Sequence, residues 1–252
     1  MDDINNKINK FRYTLINNFN DLDLVNFYSN INNLKVMISS GKMSSYVNSC
    51  YDYKTNVIFI YKDKINEESL YHELFHMASN NCLKKGCSDG FYLYQNNKNI
   101  GKSLNEGYTE LLTRRFFGKE NNDYIYDLEV VLANYLEKII GKKMVSFYLR
   151  GNLLSLIEEI SHDMDIDDIY YFLDNMDYVS KYLYDDEYHD KIIKKINDIN
   201  SFLIIYRIKK QNINLDKELL KINYPDCFNV FNIIQDDDFW IKIEKCVNNV
   251  KK

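Results

Sequence analysis

The chain contains a single proline, Pro225, and only 8 glycines in 252 residues. Forced breaks are few, which suits a largely helical protein. No apolar run approaches the roughly 18 residues that a membrane span needs, so none is expected. Positive charge is not in excess: the net charge is −5 and the pI about 5.5. Phosphate backbones call for a basic surface, so no nucleic-acid partner is expected. The 5 cysteines (Cys50, Cys82, Cys87, Cys227 and Cys246) are odd in number and scattered, which is not a disulfide framework. Cys82 and Cys87 flank a Lys-Lys-Gly turn, but a lone pair lacks the partners a zinc site needs, so reduced thiols are expected. The stretch Met1–Lys7 has neither the basic start nor the apolar core of a secretory signal, and a cytoplasmic location is expected. The bias towards Asn, Ile, Lys and Tyr, with 22 Tyr, fits AT-rich codons, and no function is read from it.

Histidine is scarce as well, with 4 in the chain, and two of them fall inside one apolar run, Leu70-Tyr71-His72-Glu73-Leu74-Phe75-His76-Met77-Ala78-Ser79. This run carries H-E-x-x-H with no Gly or Pro. On a helix, residues four apart share a face, so His72 and His76 can point at one metal ion. Glu73 then stands beside the metal, where a general base for a metal-activated water belongs. The plainer alternative is two buried histidines bonded to backbone or water.

A catalytic zinc usually takes three protein ligands and leaves one position open. About 30 residues past His76 comes Leu104-Asn105-Glu106-Gly107-Tyr108-Thr109-Glu110. Glu106 is the candidate third ligand, on a second helix packed against the first. Glu110 lies one turn further along the same face and can accept a hydrogen bond from the far ring nitrogen of a ligating histidine. Asn105 is a second candidate for such a supporting role. Taken alone, either glutamate is more simply a solvated carboxylate.

The pair His72-Glu73-Leu74-Phe75-His76 and Leu104-Asn105-Glu106-Gly107 resembles the gluzincin zinc metallopeptidases. The resemblance covers roughly positions 55–118. Leu-Asn-Glu-Gly is similar to the third-ligand motif of the aminopeptidase N group, and the Glu106/Glu110 spacing is similar to that of the thermolysin group. The spacing from the second His is longer than in either group. A G-x-M-E-N exopeptidase loop is missing, and so is the third-ligand pattern of the metzincins. The resemblance implies one zinc per chain on His72, His76 and Glu106, with Glu73 as the catalytic base and a peptide or protein as substrate. It also implies a small sheet ahead of the His helix, and an oxyanion donor from the C-terminal part. Tyr148, His162 and His189 are the candidates, and nothing in the sequence selects among them.

The expected fold is α+β and mostly helical: a zincin-like part over 1–120, with a small N-terminal sheet and the two motif helices, and a helical part over 121–252. Ile4, Ile8, Phe11, Leu15 and Ile16 fall at helical spacing, and a second helical segment is expected up to Ser39. Cys50–Tyr53 and Val57–Tyr61, rich in β-branched and aromatic residues, read as strands on either side of a turn; Tyr46-Val47 reads the same way. Substrate is expected to add along the edge of Val57–Tyr61. Asn80–Gly90 reads as a loop, Phe91–Tyr94 as a short strand and 95–99 as a polar loop. After a helix from Leu104 to Phe117, helices are expected over 127–140, 144–160, 165–184, 186–210, 215–222 and 236–250. Asp236-Asp237-Asp238 reads as a solvated helix start. The main functional expectation is a zinc peptidase. The alternatives are a catalytically weak zincin-fold regulatory or protein-binding module, and a helical protein in which the motif is accidental.

Overall fold

A computed structural model describes residues 2–39, 48–61, 67–83, 86–95, 98–118, 127–216, 218 and 237–248. The protein is mostly helical with two small sheets, an α+β arrangement. Its residues cluster into two compact units interleaved along the chain. One holds 1–99, 108–125 and 143–153; the other holds 100–107, 126–142 and 154–252.

In the first unit, α1 (Asp2–Asn18) and α2 (Val25–Ile31) precede a three-stranded sheet. Its strands are β1 (Lys35–Ser39), β2 (Ser49–Asp52) and β3 (Val57–Tyr61), in the order β1-β3-β2. β1 runs parallel to β3, with Lys35 opposite Val57, and β2 runs antiparallel, with Ser49 opposite Ile60. The expected helix up to Ser39 therefore ends early. Val36, Met37 and Ile38 suit a pleated edge, and pairing with β3 overrides a weak helical pattern. β3 is the central strand with both edges paired, so no peptide can add along it as expected from the sequence. Tyr46-Val47 lies outside the described residues.

Helix α3 (Glu67–Ser79) carries H-E-x-x-H. Every residue from Leu70 to Asn80 is buried, so this helix has no solvent face there. Phe75 meets Phe11 of α1 edge-on at 5.0 Å, and Tyr71 stacks on Phe117 at 3.9 Å. The chain leaves α3 directly into a four-stranded sheet of β4 (Asn80–Leu83), β5 (Gly86–Asp89), β6 (Tyr92–Gln95) and β7 (Lys98–Ile100) in that order, antiparallel between β4 and β5 and between β5 and β6. Two segments read as loops are thus a hairpin and a strand. Cys82 and Cys87 are register partners across that hairpin.

Helix α4 (Lys102–Phe117) is continuous through the boundary between the units. Its start is fixed by Asp177, whose carboxylate accepts from the Gly101 and Ser103 N–H groups at 3.0 and 2.7 Å. Burial pushes the Asp177 carboxyl above its ordinary range, against the pull of those N–H donors.

The second unit continues with α5 (Asp127–Ile140). The segment expected as one helix over 144–160 is two, α6 (Lys143–Leu149) and α7 (Leu153–Ser161). They are separated at Gly151, whose φ of 60° is the left-handed conformation a helix cannot continue through. α8 (Ile166–Tyr182) is capped by the Asp165 side chain; a 3₁₀ turn, Asp186–Tyr188, then leads to α9 (His189–Gln211). α10 (Asp237–Asn248) is the last described helix, beginning within the acidic run. Most of 215–222 lies outside the described residues. No described helix is long and apolar enough to cross a membrane.

Candidate metal centre

Helical spacing puts His72 and His76 on one face of α3, one turn apart. Their Nε2 atoms lie 3.1 Å from each other. The other ring nitrogens are both taken by carboxylates. Nδ1 of His72 lies 3.1 Å from Oε2 of Glu110, and Nδ1 of His76 lies 2.9 Å from Oδ2 of Asp89. A carboxylate can only accept, so each Nδ1 carries the proton and donates it. That leaves the two Nε2 atoms facing each other inside the protein. Such a pair needs a cation or a shared proton between its members.

Glu106 completes the set: one atom from each of His72, His76 and Glu106 lies within 4.8 Å of the other two. The donor chemistry fits a divalent metal. A tetrahedral zinc with bonds of about 2.0–2.1 Å would hold two imidazole nitrogens about 3.3–3.4 Å apart, close to the observed separation. Glu106 is half-buried and both histidines are buried.

Glu110, one turn after Glu106, also accepts from Nε of Arg114 at 2.6 Å. Burial raises the Glu110 pKa, but the histidine and the guanidinium outweigh it and hold the carboxyl below its ordinary range. Asn105 is buried on the first turns of α4. Gly107, a letter of the motif, has a packing reason: a Cβ there would run into the main chain of Glu129 on α5. Glycine lets α4 approach α5 closely one residue after Glu106.

Glu73, next to His72 on α3, is held by β2. Its Oε2 accepts from the Tyr51 N–H at 2.8 Å and its Oε1 from the Ser49 hydroxyl at 3.1 Å. β2 therefore turns its outer main-chain groups towards this glutamate.

The oxyanion candidates separate. Tyr148 is in the core, packed between Phe91 and Tyr108, with its hydroxyl 2.6 Å from Thr109 Oγ1. Burial pushes its phenol well above the ordinary range, so it is a core hydrogen-bonding residue and not a donor open to substrate. His162 and His189 are exposed, and neither belongs to the cluster. Sequence reasoning missed Asp89, Arg114, Ser49 and Tyr51. Arg114 was findable as the fourth residue after Glu110. Asp89 was findable only by reading Asn80–Leu83 and Gly86–Asp89 as paired strands.

Comparison with known proteins finds no matching family model, no similar curated protein and no similar solved structure.

Proposed function

We propose that the chain is a zinc-dependent peptidase of gluzincin type, with His72, His76 and Glu106 as ligands and Glu73 as the general base. The observation that carries this reading is the facing Nε2 pair, each imidazole held at its far nitrogen by a carboxylate, with Glu106 beside it. A zinc ion bound there supplies a Lewis acid for a peptide carbonyl and lowers the pKa of a water towards about 7. Glu73 takes the proton of the attacking water and returns it to the departing amine. Tyr51 and Ser49 hold its carboxylate in one orientation, and each oxygen keeps a further lone pair for that proton. An extended substrate approaching Glu73 meets β2 and not β3.

A second reading is a protein-binding module that keeps the metal and turns over little. It is favoured by the anchoring of both Glu73 oxygens to β2. Digestion of a peptide pool by zinc-loaded wild type and Glu73→Gln separates the two. Cleavage by wild type alone supports the peptidase; no cleavage by either, with zinc bound, supports the module.

A further inference from the structure

We propose that Asp89 is a positioning residue for the metal centre: it commits His76 to the tautomer with its proton on Nδ1 and so aims Nε2 at the ion. Both oxygens of this buried carboxylate are used. Oδ2 lies 2.9 Å from His76 Nδ1, and Oδ1 accepts from the Ser79 hydroxyl at 3.0 Å. Ser79 is the last residue of α3, three positions after His76, so Asp89 grips one turn of the helix at two points.

Its own position is set by the hairpin. β4 starts where α3 stops, and the β4–β5 pairing puts Asp89 directly across from Asn80. The strand returns to the helix end it left. The neighbour Ser88 is fixed in turn, its hydroxyl donating to the Gly151 carbonyl at 2.7 Å. At Gly151 a Cβ would collide with the Ser79 carbonyl, so this loop closes tightly over the same helix end. The two histidines thus have unlike supports. Behind His72, Glu110 is backed by the Arg114 cation; behind His76, Asp89 is backed by a neutral hydroxyl.

Without Asp89, the His76 ring is free to place its proton on Nε2, where it blocks metal binding. Outer partners of ligating histidines typically change metal affinity by roughly 10–100-fold. The zinc part of this inference rests on the function proposed above; the tautomer part does not. The test therefore has two arms.

In metal-free protein labelled with ¹⁵N-histidine, NMR reads the tautomer of each ring. Wild type is expected to show His76 with its proton on Nδ1, and Asp89→Ala to show a mixture or the Nε2 form, with His72 unchanged. Glu110→Ala is expected to do the reverse. Competition with a chromophoric chelator then reads zinc affinity, expected to fall roughly 10–100-fold in Asp89→Ala. An unchanged His76 tautomer in Asp89→Ala, or zinc affinity within twofold of a wild type that binds zinc, overturns the proposal. Wild type that binds no zinc defeats the metal reading and leaves the tautomer arm to decide on Asp89. Should Asp89→Ala fail to fold, Asp89→Asn decides: a several-fold loss of zinc affinity supports the role of the charge, and wild-type affinity overturns it.

Discussion

The first half of helix α9 keeps two faces. Ile192, Ile196, Ile199 and Leu203 are buried, while Lys191 and Lys194 stay in water. Its buried Ser201 is answered from within the helix, the hydroxyl donating to the Asn197 carbonyl one turn back. Helix α3 has no outer face from Leu70 onward, yet it buries His72, Glu73 and His76. None of these three is answered only from within α3. Glu110 comes from α4, Asp89 from β5, and Ser49 and Tyr51 from β2. Burying an unpaired polar group costs several kcal/mol by transfer measurements, on the order of 2–7. A helix built only for packing would carry leucines at these positions. Three elements converge on α3 to hold two imidazoles with their Nε2 atoms facing each other at 3.1 Å.

The largest effect is expected at the residue that separates chemistry from packing. Glu73→Gln keeps size, and its amide can accept from the Tyr51 N–H while donating to the Ser49 hydroxyl oxygen, but it accepts no proton. Peptide cleavage is expected to fall by roughly 10²–10⁴, with zinc content and melting temperature near wild type. Equal cleavage by both proteins would remove Glu73 from the mechanism.

Core damage away from α3 is expected to do the opposite. Phe172 on α8 stacks on Phe202 of α9 with centroids 4.4 Å apart. Phe172→Ala is expected to cost about 3–5 kcal/mol in denaturant unfolding, with zinc content unchanged in the protein that remains folded. Loss of zinc there would mean that the packing of α8 on α9 also supports the metal centre.

Gly107→Ala sits between these cases. The added methyl has no room beside Glu129, and overpacking of this kind costs about 1–3 kcal/mol. Because α4 carries Glu106, zinc affinity is expected to weaken as well. A chelator titration alongside the unfolding curve reads both, and unchanged affinity would show that the helix contact does not place the ligand.

The smallest effects are expected at features that serve α8 and the exposed histidines. The Asp165 side chain accepts from the Asp167 N–H at 2.9 Å, so Asp165→Ala is expected to cost about 0.5–2 kcal/mol and no zinc. His162→Ala and His189→Ala are expected to change neither. Metal lost from either histidine variant would mean that the ligand set is drawn wrongly.

What could be read from the sequence follows the range of the interactions involved. His72 and His76 share a face because of local helical geometry, and Glu110 follows Glu106 by the same rule, so the spacing alone brings them into view. Asp89 reaches His76 through a hairpin whose register depends on pairing between Asn80–Leu83 and Gly86–Asp89. Its polar, glycine-containing sequence reads as a loop. β1 was hidden because five residues ending at Ser39 become a strand only when β3 is there to pair with them. Gly107 was visible as a letter of a motif, but its reason lies on α5, over twenty positions away. The break at Gly151 was legible in principle, since a glycine inside a helical pattern is a warning, yet the apolar stripe on either side outweighed it.

Metal content tests the central claim most directly. Protein purified without chelator, then offered added zinc and desalted, is analysed for elemental composition beside His76→Ala. One zinc per wild-type chain is expected, and much less in the variant. Wild type that carries no divalent metal and takes up none would contradict the claim, and the facing Nε2 pair would then be two imidazoles sharing a proton.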